Sequence, residues 1–178
     1  GMMCSARELQ LGEDHDGIAE LPDDAPKGAS YAEWAGLDDP VIDVAITPNR
    51  QDCMGVHGIA RDLAAAGLGI LKPLKTPIVA GSYPCPVEIR TDDTEGCPAF
   101  YGRVIKSVKN GTSPDWMQAR LKSAGQRPIS ALVDITNYVM LDHGRPSHVY
   151  DLAKLTGAVV ARRAKDGEQV MALNEKIY

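Results

Sequence analysis

Between residues 130 and 141 apolar side chains recur at helical spacing on nearly every side: Leu132, Ile135 and Val139, then Val133 and Met140. The pattern predicts a buried helix. It also holds a polar pair, Thr136-Asn137, at its middle. A buried hydroxyl and carboxamide need hydrogen-bond partners or a polar pocket, so this helix is expected to present polar groups to a cavity. The turn Gly144-Arg145-Pro146 is expected to bring His148 back towards the pair.

The same reading gives the other elements. Ser5 and Glu8 have the spacing of a capping box, which predicts a short helix there. Residues 41–47 alternate Val41, Asp43, Ala45 against Ile42, Val44, Ile46 and predict a strand that Pro48 ends. Asn49 to Asp52 offer caps for a helix that places Val56, Ile59, Ala60, Leu63 and Ala64 on one face, reaches about Ala66 and closes on Gly67. Residues 87–90 and 99–108 read as strands. Ser113-Pro114 then opens a helix with a hydroxyl cap and a proline at its first position, ending at Gly125. Residues 158–164 and 169–173 read as two strands joined by a hairpin turn at 165–168.

Four prolines and a glycine crowd residues 72–86; proline fixes φ and removes a donor, so this stretch is a connector. The expected division is 1–72, a Pro-rich linker at 73–86, and 87–178. Helices and strands mix without a regular strand–helix–strand repeat, so the expected fold class is α+β, built of mixed small domains.

Composition changes the picture in three respects. With 178 residues and 44% hydrophobic side chains, the chain can bury one ordinary core or two small ones. Its apolar runs fall far short of a membrane span, and no basic-then-apolar segment opens it, so no membrane role and a cytoplasmic location are expected. Both ends read as internal to a longer sequence. Charge is uneven: residues 1–62 carry 4 basic and 13 acidic side chains, against 15 and 11 in 63–178. Within 101–130, Arg103, Lys106, Lys109, Arg120, Lys122 and Arg127 face the single acid Asp115. That excess suits phosphates, although a solvated face is the simpler reading.

Cys4, Cys53, Cys85 and Cys97 are isolated and show no C-x-x-C spacing, which fits free thiols. Asp142, His143, His148 and Asp151 match no standard zinc spacing, so no metal site is expected. No phosphate-cradling loop, dinucleotide fingerprint, zinc-protease helix or nucleophile elbow is present. No cofactor is expected in this piece.

Five segments occur in order: Thr47-Pro48-Asn49-Arg50-Gln51-Asp52-Cys53, Gly102-Arg103-Val104-Ile105, Arg127-Pro128-Ile129, Val133 through Leu141, and Gly144-x-Pro146-x-His148. Together they resemble the β subunit of bacterial phenylalanyl-tRNA synthetase. The resemblance covers essentially the whole chain, including Leu11 through Gly17 near its start. It implies a piece of that subunit: the end of its oligonucleotide-binding insertion with an adjoining α/β region over 1–72, and the first part of its editing module over 87–178. It further implies phenylalanine–tRNA ligase activity, with aminoacylation on a partner α subunit in a heterotetramer of two α and two β chains. ATP and Mg are expected for the complete synthetase, and phenylalanine tRNA is the expected RNA partner. The piece alone is expected to be inactive, because an acidic residue of the family's editing pocket lies beyond the equivalent of Tyr178.

The resemblance assigns Thr136, Asn137 and His148 to hydrolytic editing of tyrosine misattached to the phenylalanine tRNA, with His148 and Arg127 binding the substrate. Each has a simpler competitor: a back-bond from Thr136 to a helical carbonyl, a capping role for Asn137, an Arg127–Asp134 pair, and a satisfied loop histidine. Arg145, Ser147, Val149 and Tyr150 depart from the family's usual residues beside His148. The alternative function is a non-catalytic scaffold that binds tRNA or the α subunit.

Overall fold

The computed structural model describes residues 3–9, 11–172 and 175–178. Gly1, Met2, the last residue of the expected 169–173 strand, and Asn174 lie outside the described residues. The class is α+β, a mixture of helices and one small sheet. The chain divides into two compact units, residues 1–44 and 45–178.

In the first unit, Ser5 and Glu8 do form the reciprocal capping pair. The Ser5 N–H donates to Glu8 Oε2 at 2.8 Å, and the Glu8 N–H to Ser5 Oγ at 3.3 Å. Only a turn follows, not the expected helix. The cap satisfies donors, but no apolar stripe follows to hold further turns. A helix that the apolar pattern did not predict, α1, spans Tyr31–Trp34 and is capped by Ser30.

The second unit carries the remaining elements. A 3-10 turn at Gln51–Cys53 precedes α2, Val56–Ala65. Gly67, at φ 78°, closes α2 with the Gly67 N–H on the Ala64 carbonyl and the Leu68 N–H on the Leu63 carbonyl, both at 3.0 Å. Next come β1, Ile89–Thr91, α3, Asp115–Ser123, and α4, Ala131–His143. The last strand is β2, Val159–Ala161. Both α2 and α3 pack on α4.

Several expected strands are corrected. Residues 41–47 and 99–108 join no ladder among the described residues. A strand exists only through its partner, and side chains hold the second segment instead: Tyr83 Oη donates to the Val104 carbonyl at 2.7 Å, and Arg103 donates to the Val79 carbonyl. The 165–168 turn forms, with the Glu168 N–H on the Lys165 carbonyl at 3.0 Å, but among the described residues no ladder joins its two arms. Instead β2 pairs in parallel with β1, Ile89 opposite Val159 and Thr91 opposite Ala161. Met171 bridges Ile177. Val159 and Val160 favour the pairing that shields both faces of the short strand.

Burial is sparse. Among the described residues the buried apolar side chains are Cys53, Met117 and Leu121. Ile70 and Ile78 stand almost wholly in solvent, at 95% and 96% exposure. No described helix is long and apolar enough to cross a membrane.

Candidate functional site

Helix α4 carries the polar pair as expected. Thr136 and Asn137 are half-buried on adjacent positions, whose side chains point about 100° apart around a helix. Thr136 Oγ1 donates to the Val133 carbonyl at 2.7 Å, which is the back-bonding alternative raised by the sequence. Gly144 ends α4 in the left-handed region, and the chain beyond it is irregular. There His148 is exposed and stacks on Tyr150 with centroids 6.1 Å apart. Arg127 is exposed in the connector between α3 and α4. Among the described residues, no hydrogen bond joins any two of these four, and neither principal cavity is lined by them.

The buried polar centre of this region is a residue that the sequence reading named only as a possible partner of Arg127. Asp134, 1% exposed, accepts from the Ser113 hydroxyl and from the Ile129 N–H at 2.8 Å. These two donors, the hydroxyl first, lower its pKa against the opposing effect of burial. The expected Ser113 cap is therefore corrected: Pro114 occupies the cap position of α3, and the Ser113 hydroxyl turns to Asp134. Asp134 lines a cavity of about 80 Å³ with Ser113, Gln118 and Ser130. Nor does Arg127 pair with Asp134. The signal available was an acid in the first turn of a helix, with Ser130 at its cap position.

A second charged cluster lies ahead of α2. Arg50 grips Asp52 through Nε at 3.0 Å and Nη2 at 3.1 Å, and reaches Asp62 at 2.6 Å and Cys53 Sγ at 2.8 Å. Arg61 also pairs with Asp52. The Arg50 hydrogen bond holds Asp52 down to about 2, and Asp62 is lowered by the same partner. Burial raises the Cys53 thiol. Asp52, Cys53 and Asp62 offer ligand atoms within 4.8 Å of one another. The guanidinium already supplies the cation there, so the cluster is an ion-pair clasp that ties the 3-10 turn to α2.

An apolar groove of about 380 Å³ runs between α2, residues 68–74 and the end of α4. His57 and His143 meet in it at 6.1 Å between ring centroids. Elsewhere Lys106 lies 4.2 Å over the Tyr83 ring. All six cations of residues 101–130 are exposed, and of these Arg103 and Lys106 also serve local structure.

Comparison with known proteins supplies the family context. A domain model described as the B3/4 domain matches residues 96–178. All 178 residues are 73% identical to the phenylalanine–tRNA ligase beta subunit of Novosphingobium aromaticivorans, covering 22% of it. The corresponding figures are 61% and 23% for the beta subunit of Zymomonas mobilis, and 60% and 22% for that of Rhodopseudomonas palustris. The chain therefore spans about a fifth of the length of these relatives. The resemblance read from five ordered motifs holds over the whole chain: it is similar throughout to phenylalanine–tRNA ligase beta subunits.

Proposed function

We propose that this chain is part of a phenylalanine–tRNA ligase β subunit and contributes to tRNA binding and to hydrolytic editing of misattached tyrosine. The observation that carries the reading is whole-chain identity of 73% to a named beta subunit. In this reading residues 1–72 end an oligonucleotide-binding insertion and its adjoining region, 73–86 link, and 87–178 begin the editing module. The B3/4 match over 96–178 supports the last assignment. Aminoacylation, with its ATP and Mg, belongs to an α subunit in an α2β2 assembly in the cytoplasm.

The chemistry calls for a second site. An apolar synthetic pocket rejects an added hydroxyl by only about a hundredfold. A site that hydrogen-bonds the tyrosine hydroxyl discriminates further, because phenylalanine leaves its polar groups unpaired. In this role His148 recognises the phenol, Thr136 and Asn137 hold the aminoacyl group and the attacking water, and Arg127 draws in the RNA end. The aminoacyl ester is already activated, so orienting a water is the main catalytic task.

The test uses the complete αβ enzyme. His148→Ala should slow deacylation of tyrosyl-tRNA about tenfold or more, as for a lost recognition hydrogen bond, with phenylalanine charging unchanged. Unchanged deacylation overturns the assignment. A second reading, a non-catalytic scaffold for tRNA or the α subunit, is favoured by the Thr136 back-bond and the exposure of His148. It requires that the wild-type enzyme bind tyrosyl-tRNA without hydrolysing it.

A further inference from the structure

We infer that the outer face of α3 is a stacking and phosphate-contacting surface for unpaired nucleotides of an RNA. Trp116, in the first turn of α3, is 53% exposed. It meets Tyr138 of α4 with ring centroids 5.3 Å apart and planes at 89°. In an edge-to-face pair only one ring turns its face to the other. Whichever ring does so, at least one face of the indole is left uncovered by Tyr138. The contact also fixes the tilt of the indole, so little freedom is lost when a base stacks on it.

The core of α3 is made by Met117 and Leu121, so Trp116 is not needed there to fill it. Arg120 follows Trp116 by one turn and is its neighbour on the exposed face. Lys122 flanks that face. Neither forms an ion pair with an acid among the described residues. An exposed indole beside free cations is the composition by which proteins hold single strands, since every base offers a π-face and every linkage a phosphate. A protein partner would also use a tryptophan. Lys109, Arg120, Lys122 and Arg127, the cations between residues 101 and 130 that hold no local structure described above, stand against the single acid Asp115 and select a polyanion instead. The chain contains its own contrast: Trp34 is 40% exposed, but its unit, residues 1–44, carries 2 basic and 11 acidic side chains.

The inference rests on the proposed function for the identity of the RNA, but not for its hydrolysis, so binding is measured and not turnover. The complete αβ enzyme is titrated with a labelled single-stranded oligoribonucleotide, followed by fluorescence anisotropy at several salt concentrations. Trp116→Ala should weaken binding about 5- to 150-fold, the range for one stacked base, while Trp116→Phe keeps most of the affinity. Arg120→Gln should lower the salt slope by about one. Because Arg120 is exposed, this variant keeps the fold and tests the surface even if the tryptophan variant unfolds. Unchanged affinity in Trp116→Ala together with an unchanged salt slope in Arg120→Gln overturns the inference. So does a Trp116→Ala enzyme that loses α subunit and keeps RNA, since the face is then a protein interface. Loss of tyrosyl-tRNA hydrolysis in His148→Ala with oligonucleotide binding intact leaves this inference standing; failure of the editing reading alone therefore has a different signature.

Discussion

Two aspartate-centred junctions in the second unit perform the same task in opposite surroundings. Asp52 and Asp62 tie the 3-10 turn to α2 through arginines, with side chains 39–48% exposed. Asp134 ties the loops before α3 and α4 together through a hydroxyl and a main-chain N–H, at 1% exposure. Ion pairs in water gain little, because solvent already stabilises each charge and salt screens the attraction. A buried carboxylate has no such reserve, and every donor it loses leaves it poorly solvated in a dry site. Fixing a junction from outside makes it tolerant to mutation but responsive to salt; fixing it from inside does the reverse.

The largest effect should come from removing the apolar cover beside the buried junction. Leu121→Ala opens a cavity between α3 and α4 and should lower unfolding free energy by about 2–5 kcal/mol, measured by denaturant titration. A smaller loss would mean that the α3–α4 interface is already loose. Ser113→Ala deletes one donor to Asp134 and should destabilise by about 1–3 kcal/mol with no dependence on salt. Salt sensitivity in that variant would break the contrast between the two junctions.

Acid should act next. Asp52 titrates in the folded chain at about 2, below the ordinary 3.8. A lowered folded pKa means that its contribution is full above the ordinary value and is lost as pH falls from about 4 towards 2. Stability measured over that window should therefore decline, and Asp52→Asn should flatten part of the decline at low salt. Asp134, whose pKa is also lowered, adds a decline of the same sign, and Asp134→Asn should remove it at high and low salt alike. The smallest effect is expected for Arg61→Gln, which removes the outermost pair: a slight fall in the unfolding midpoint at low salt that vanishes at high salt.

The helices were legible in the sequence because each carries its own signal. Apolar spacing and the glycines at 67, 125 and 144 place α2, α3 and α4 within a few residues of where they lie. Strands were legible only in part: the expected 87–90 and 158–164 overlap β1 and β2, but alternation names a face and not a neighbour. Residues 41–47 alternate without finding a ladder, and residues 159–161 pair with residues 89–91, some seventy positions away, and not with the following turn. The helix bearing Thr136 and Asn137 could be read, but their directions and their distance from His148 could not, because the chain beyond Gly144 follows no periodic rule. Asp134 was hidden for a different reason: its partner Ser113 lies 21 residues earlier, and local spacing alone marks an acid in a first helical turn as solvated.

The meeting of Gly55 and Gly144 sets how near α2 can come to α4. A Cβ added at Gly55 would stand 2.3 Å from the Gly144 nitrogen, so main chain rests on main chain with no side chain between. The separation of these helices has no adjustable shim. The smallest substitution at position 55 is a whole methyl group, and it would act as a wedge that displaces His57 from His143 and widens the apolar groove, coupling one backbone atom to the breadth of an entire cleft.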